Sequence, residues 1–445
     1  MTNNIKITYK NIWKISGPII LALIAQNLLN VIDTIFLGRV GEVSLGAGAI
    51  GGLFYLAVVM LGIGFGTGTQ ILIGRRNGEK NYARIGHILD HSFYFLMVIA
   101  IFLFILIKFI SPIILKSFLH SEAVFQGATE FIHYRSFGIF FAFINISLNS
   151  FYIGTAQTKV LTYSTSLMSA INIVLDYCLI FGNWGFPQMG IGGAALASTI
   201  AEFSAAVFLI ARTYKYVDLK KYKLFGFIRF DYKLLMRMLK LAFPMMLQNF
   251  ISFSAWFLFF MIIEKIGEHA LAISNIARSI YMVLMIPIWG LSSATNTLVS
   301  NLIGQKRPYK VIPLIRKITL MSFLCTITLL QLIFFFPKFL LSFYTNDPIL
   351  INDSIPTLYV ISFALIMFSL TMIMFNGVSG SGNTRVSFSI EVITIASYVV
   401  MTYLLAVVFN LGVEKVWLVE SFYFIMLGGL SFFYLKYGNW KETKI

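Results

Sequence analysis

Twelve apolar stretches organise this chain, over about residues 14–37, 44–72, 87–110, 123–151, 160–182, 190–211, 241–264, 270–302, 315–336, 351–376, 386–409 and 416–435. Each is long enough to cross a hydrocarbon layer of about 30 Å as a helix. Each is also too continuous for the alternating pattern of a barrel strand. Short polar turns separate them, such as Arg75-Arg76-Asn77-Gly78-Glu79-Lys80. The first stretch is too long for a cleaved leader and runs through a short polar turn into the second. The pattern predicts an all-α polytopic membrane protein with 12 transmembrane helices.

Composition narrows the picture. Of 445 residues, 58% are hydrophobic and 12% charged, with mean hydropathy +0.83. Soluble domains carry about twice that charge. A dozen helices leave no room for an ordinary soluble domain. The two cysteines, Cys178 and Cys325, both lie in apolar runs, which excludes a disulfide scaffold.

The net charge of +16 could suggest nucleic acid, but its placement argues otherwise. With the N-terminus inside, 26 of the 34 Lys and Arg side chains, from Lys6 to Lys444, fall on the inner side and six on the outer. Arg135 and Arg278 lie within spans. This asymmetry predicts that both termini are cytoplasmic. No nucleic acid partner is expected. The basic central loop, 212–240, is expected against anionic lipid headgroups.

An internal repeat carries more information. Lys14-Ile-Ser-Gly-Pro18 matches Lys240-Leu-Ala-Phe-Pro244, Gly41-Glu42 matches Gly267-Glu268, and Gly154-Thr-Ala-Gln-Thr-Lys159 matches Gly380-Ser-Gly-Asn-Thr-Arg385. All three pairs share one offset, 226 in the numbering. Met189-Gly190-Ile191 matches Leu411-Gly412-Val413 more weakly, at 222. The chain thus reads as an N-terminal six-helix lobe (1–211), a basic cytoplasmic linker (212–240) and a C-terminal six-helix lobe (241–445). Six is even, so the repeats are parallel, as in transporters whose two bundles rock around a central cavity. A channel or a single-bundle receptor does not fit this duplication.

No phosphate-binding loop, zinc spacing or nucleophile–base pair stands out, so no enzyme is expected. Gly62-Ile-Gly-Phe-Gly-Thr-Gly68 lies inside the second stretch, where glycines serve close packing. The informative residues are polar groups in apolar surroundings, where a carboxylate is costly and points to function. Gln26, Asn30 and Asp33 share one helix face, with Thr34 beside them. That face is expected to line a cavity or a helix interface; alternatively, Asp33 caps the outer turn. Asn172 and Asp176 share a face of the fifth stretch, and Asp176 needs a proton, a cation or a basic partner there. Its alternative role is a structural hydrogen bond between helices. Ser198 and Thr199 can add hydroxyl oxygens.

Asp33, Asn172, Asp176 and Ser198 would form an oxygen-only set able to hold a hard cation such as Na+, or to trade a proton. The repeat places Phe259 opposite Asp33 and Thr402 opposite Asp176, so this set belongs to the N-terminal half alone. Arg278 is a candidate for the substrate cavity. Glu130, His133, Arg135, Glu202, Glu391 and Glu420 read either as interhelical bonds or as parts of a pathway. His87, Asp90 and His91 are expected at the inner interface.

These residues carry a resemblance. Gly17-Pro18, Gln26, Asp33-Thr34 and Gly38 resemble the first-helix pattern of multidrug and toxic compound extrusion (MATE) transporters. Asn172-Ile-Val-Leu-Asp176 resembles their fifth-helix motif, and Gly190-Ile-Gly-Gly-Ala-Ala-Leu-Ala-Ser198 their sixth-helix entry, with Ser198 in place of Thr. Gly380-Ser-Gly-Asn-Thr-Arg385 resembles the turn after their tenth helix. Where some branches carry a seventh-helix Glu and a tenth-helix Asp, this chain has Ser252 and Phe368, which brings it closer to the DinF-like branch.

The resemblance implies a V-shaped, two-lobed antiporter in the cell (plasma or inner) membrane. It would export organic cations or other drugs against inward H+ or Na+, with no cofactor beyond that ion. The family's cation site carries over to Asp33, Asn172, Asp176 and Ser198, and its helix-bending proline to Pro18. The chain is expected to work as a monomer. The alternative within the superfamily is a flippase for lipid-linked saccharides.

Overall fold

The computed structural model describes residues 7–119, 121–227, 229–443 and 445. Lys6 and Lys444 of the inner basic set lie outside them. Among the described residues all regular structure is helical. The helices are α1 (Tyr9–Val40), α2 (Glu42–Gly78), α3 (Tyr82–Phe118), α4 (Glu122–Arg135), α5 (Gly138–Gly154), α6 (Lys159–Phe181), α7 (Gly190–Tyr216) and the single turn α8 (Leu219–Tyr222). Then follow α9 (Tyr232–Glu264), α10 (Glu268–Gly304), α11 (Val311–Phe335), the short α12 (Pro337–Ser342), α13 (Pro348–Gly380), α14 (Thr384–Tyr403), α15 (Val413–Val416) and α16 (Leu418–Tyr437).

Eleven of these segments can each cross a membrane alone, and α4 with α5 makes the twelfth. The fold is the expected twelve-helix, all-α membrane architecture. One difference lies in the fourth stretch, which is two helices bent by 51° rather than one. The bend follows Arg135, which hydropathy cannot register. Another lies at the loop edges. Helices α2, α3 and α10 have 37 residues each, about 55 Å at 1.5 Å per residue, so they run well past the apolar layer. Likewise, residues 212–216 and 232–240 of the expected linker continue α7 and begin α9. Polar composition ends a span but not a helix.

The repeat is written into the backbone. At the offset of 226, the first and last residues of α2 map onto those of α10, and the interval of the α4–α5 pair maps onto α13. Left-handed residues recur at the same offset: Gly41 with Gly267, Lys80 with Lys306, and Ala156 with Gly382. Gly41 (φ 145°) and Gly267 (φ 137°) are the residues immediately before α2 and α10, each in a conformation essentially restricted to glycine.

Packing groups the chain into two compact units. One is Leu21–Met246. The other joins the chain up to Ile20 with Leu247–Ile445. Helices α1 and α9 therefore each pass from one unit to the other, just after Pro18 and Pro244. Helix α1 runs unbroken through Pro18. Glycines make room at both crossings. A methyl at Gly64 in α2 would strike the backbone of Met246, and one at Gly290 in α10 would strike Ile20. The interior of the second unit is an aromatic core around Phe259, Tyr281, Phe368 and Trp417, whose Nε1 donates to Ser274 Oγ (3.0 Å).

The segment between α7 and α9 docks on α3 through aromatic rings. Tyr222 packs edge-on against Tyr82 and Phe151, Phe225 stacks on Phe93, and Phe230 stacks on His91. His91 is fully buried within the protein. Its Nδ1 lies 2.8 Å from the His87 carbonyl, and its Nε2 accepts from the Asp231 amide at 2.8 Å. Asp231 in turn caps α9 by accepting from the amides of Lys233 and Leu234.

Candidate functional site

Asp33 lies inside α1, well before its end at Val40, so it does not cap the outer turn. Its carboxyl reaches that of Asp176 on α6. Asp176 is fully buried and Asn172 is 1% exposed. Asn172 Nδ2 donates to Asp176 Oδ2 (2.8 Å), a bond between residues one helical turn apart on one face. From α7, Ser198 Oγ donates to Asn172 Oδ1 at a long 3.4 Å. The structure thus brings Asp33, Asn172, Asp176 and Ser198 together, on three helices of one unit.

The electrostatics of this set are unfinished. Asp33 Oδ1 and Asp176 Oδ1 are both buried and receive no hydrogen bond among the described residues. Two facing carboxyls with bare oxygens need a proton or a cation between them. A proton needs only those two oxygens. A sodium ion would need more ligands, so Ser198 Oγ and Asn172 Oδ1 would have to part and turn inward. No group of three or more His, Cys, Asp or Glu poised for a metal occurs among the described residues.

The other candidates fall elsewhere. Gln26 is half-buried; Asn30 and Thr34 are exposed, and Thr34 Oγ1 donates to the Asn30 carbonyl (2.8 Å). No side-chain bond ties these three to the aspartates among the described residues. Arg278 belongs to the other unit, where its guanidinium stands 5.1 Å from the Phe260 ring centre and its buried Nε has no acceptor among the described residues. The glycines of the Gly62–Gly68 run are packing positions: Gly62 meets Phe143, and Gly68 meets Ala242.

Sequence reasoning left the partner of Arg135 open, and the structure gives it. The guanidinium makes a two-pronged ion pair with Glu202 on α7, Nη1 to Oε2 at 2.8 Å and Nη2 to Oε1 at 2.5 Å. It also lies 3.9 Å from the centre of the Tyr55 ring, whose hydroxyl donates to Glu202 Oε2 (3.2 Å). Asn145 Nδ2 donates to the Glu202 carbonyl (3.0 Å). Arg135 is in turn within electrostatic reach of Asp33. The signal available in the sequence was two opposite charges in separate spans. Glu130 and His133 stay outside this network; Lys108 Nζ lies 2.9 Å from His133 Nδ1.

The second unit holds its own buried carboxyls. Glu391 on α14 is 3% exposed and accepts from Ser252 Oγ (2.6 Å) and the Tyr423 hydroxyl (2.8 Å). Glu420 on α16 is 4% exposed and accepts from Trp256 Nε1 (3.2 Å), Tyr281 (3.3 Å) and Tyr398 (2.9 Å).

Comparison with known proteins places this architecture. The MatE family model matches residues 18–178 and again 244–407. Its two copies begin at Pro18 and Pro244, which are related by the same offset of 226 as the repeat. The "Probable multidrug resistance protein NorM" of Thermotoga maritima is 25% identical over 442 residues, covering 98% of this chain and 94% of that protein. The "Probable multidrug resistance protein YoeA" of Bacillus subtilis is 24% identical over 344 residues, 74% of this chain and 72% of that one.

Among solved structures, an outward-facing multidrug resistance MATE family transporter of the MOP superfamily superposes with a TM-score of 0.90 at 20% identity, over 98% of this chain and 97% of that one. A MOP superfamily transporter from Pyrococcus furiosus, whose binding pocket is described as reversed in polarity, gives 0.84 at 21%, with the same coverage. The duplicated helices, the repeat and the two-copy family match agree, and the chain belongs to MatE, the multidrug and toxic compound extrusion family of membrane transporters.

Proposed function

We propose that this protein is a secondary antiporter of the cell membrane. It exports organic cations and similar drugs in exchange for inward H+ or Na+, working as a single chain with both termini in the cytoplasm. The observation that carries this reading is the facing pair Asp33 and Asp176, each with a buried oxygen that no donor answers among the described residues. While ionised, the pair attracts a cationic drug. Once an incoming proton or sodium ion neutralises it, that attraction is lost. Exchange follows because drug and ion favour different states of the transporter, and a ligand shifts an equilibrium only by its differential affinity. Arg135 is already held by Glu202, which leaves the aspartates open to the transported charge.

The test is ethidium efflux from right-side-out vesicles, with sodium and pH gradients imposed separately. Wild type should respond to one gradient, which names the ion. Asp33→Asn should lose that response while inserting normally. Full gradient-driven efflux by Asp33→Asn would overturn the reading. Wild type that ignores both gradients would also overturn it.

A further inference from the structure

We propose that the second unit carries its own proton-binding site, formed by Glu391 and Glu420 with the hydroxyls and indole that surround them, and that Glu391 Oε2 is the atom that takes the proton. Both carboxyls are at least nine-tenths buried, in helices that cross the membrane. The elements packed around them offer the following neighbours. Helix α9 offers Ser252 and Trp256, α10 offers Tyr281, α14 and α16 offer Tyr398 and Tyr423, and α13 offers Phe368 against Phe424. None of these is a cation. Arg278, one turn before Tyr281, turns to Phe260 and bonds to neither glutamate. A buried carboxylate with no cation must be held by hydrogen bonds or neutralised by a proton.

The two glutamates divide these roles. Glu420 receives three donors over its two oxygens, which suits an ion. Glu391 receives both of its donors on Oε1, and its buried Oε2 receives none among the described residues. A bare acceptor at that depth is costly unless it carries hydrogen. The rings of Tyr398 and Tyr423, one bonded to each carboxyl, pack edge to face at 5.6 Å between centres, so the two groups form one site.

The repeat supplies an independent argument. At the offset of 226, Tyr281 stands where Tyr55 does in the other half, and each donates to a glutamate on the last helix of its own repeat. Tyr398 stands where Asn172 does, and at the offset of 222 Glu420 stands where Ser198 does. Both halves thus keep buried acidic groups, built from different residues. In the N-terminal half Arg135 answers Glu202; the equivalent position in the other half is Ile361, and among the described residues no Lys, Arg or His pairs with Glu391 or Glu420.

This deepens the antiport reading by adding a second site, and its test reads proton binding directly, so a failure of transport and a failure of this site are told apart. Infrared difference spectra of the purified full chain between about pH 5 and about pH 9 report carboxyl protonation. The wild type should show a carboxyl band that Glu391→Gln removes and Asp33→Asn keeps. If Glu391→Gln does not fold, Ser252→Ala and Tyr423→Phe each remove one donor from Glu391 and should move the midpoint of that band by about one pH unit. A band that survives Glu391→Gln, or a midpoint unmoved by both donor variants, would overturn the proposal and leave the glutamates as fixed structural groups.

Discussion

A charged side chain inside a membrane is stable only beside something that answers it, and each buried charge here shows a different answer. Arg135 is answered by Glu202 and by the face of Tyr55. Removing one member of a buried pair leaves an uncompensated charge, at a cost of about 3–5 kcal/mol. Arg135→Ala should therefore strongly lower the thermal stability of the purified protein, and Arg135→Met combined with Glu202→Gln should recover most of the loss. At the aspartate cluster the weights differ bond by bond. The Asn172–Asp176 bond is 2.8 Å and buried, whereas the Ser198–Asn172 bond is a marginal 3.4 Å. Asn172→Leu should abolish ion-driven efflux, Ser198→Ala should lower it only a fewfold, and Ser198→Thr should match wild type. An Asn172→Leu protein with normal efflux would remove that residue from the coupling set.

At the scale of the element, glycine and loop chemistry matter more than hydropathy. Gly41 occupies backbone space that a side chain enters only under strain, so Gly41→Ala should destabilise the α1–α2 turn by about 1–3 kcal/mol, and Gly267→Ala the α9–α10 turn by a similar amount. Thermal melts of the two variants test this, and equal losses would follow from the repeat. The spans themselves were legible in the sequence because a run of some twenty apolar residues has one stable solution in a membrane. The bend between α4 and α5 was not, because hydropathy carries no mark of the break after Arg135, whose partner Glu202 lies on a helix distant in sequence. Nor was the docking of Tyr222, Phe225 and Phe230 on α3. Polar and basic composition marks that segment as interfacial, but three rings spaced through it say nothing about which helix will receive them.

For the molecule as a whole, the distribution of Lys and Arg predicts that Lys441 faces the cytoplasm and Lys116 the outside. The chain has only two native cysteines, both unpaired. In a Cys178→Ser, Cys325→Ser background, an impermeant maleimide applied to intact cells should label Lys116→Cys and spare Lys441→Cys; the reverse pattern would invert the topology. The repeat at 226 was readable from three short matches, and it foretold the helix boundaries of the second half. It also set Phe259 and Thr402 at the positions equivalent to the aspartates. It could not reveal that Glu391 and Glu420 gather five donors from four helices, since no periodicity records which faces meet.

The sequence was equally silent on the passage of α1 and α9 between units. Gly64 receives the start of α9 and Gly290 the start of α1, and the two contacts are copies of each other at the offset of 226. A six-helix protein with one copy of this repeat would own both the glycine notch and the helix that fills it. It could fill the notch in this manner only with the helix of a second molecule. The chain is therefore organised as a swapped dimer whose two subunits share one polypeptide. Because both repeats lie on one polypeptide, neither exchange depends on concentration, and each unit holds the helix start of the other repeat.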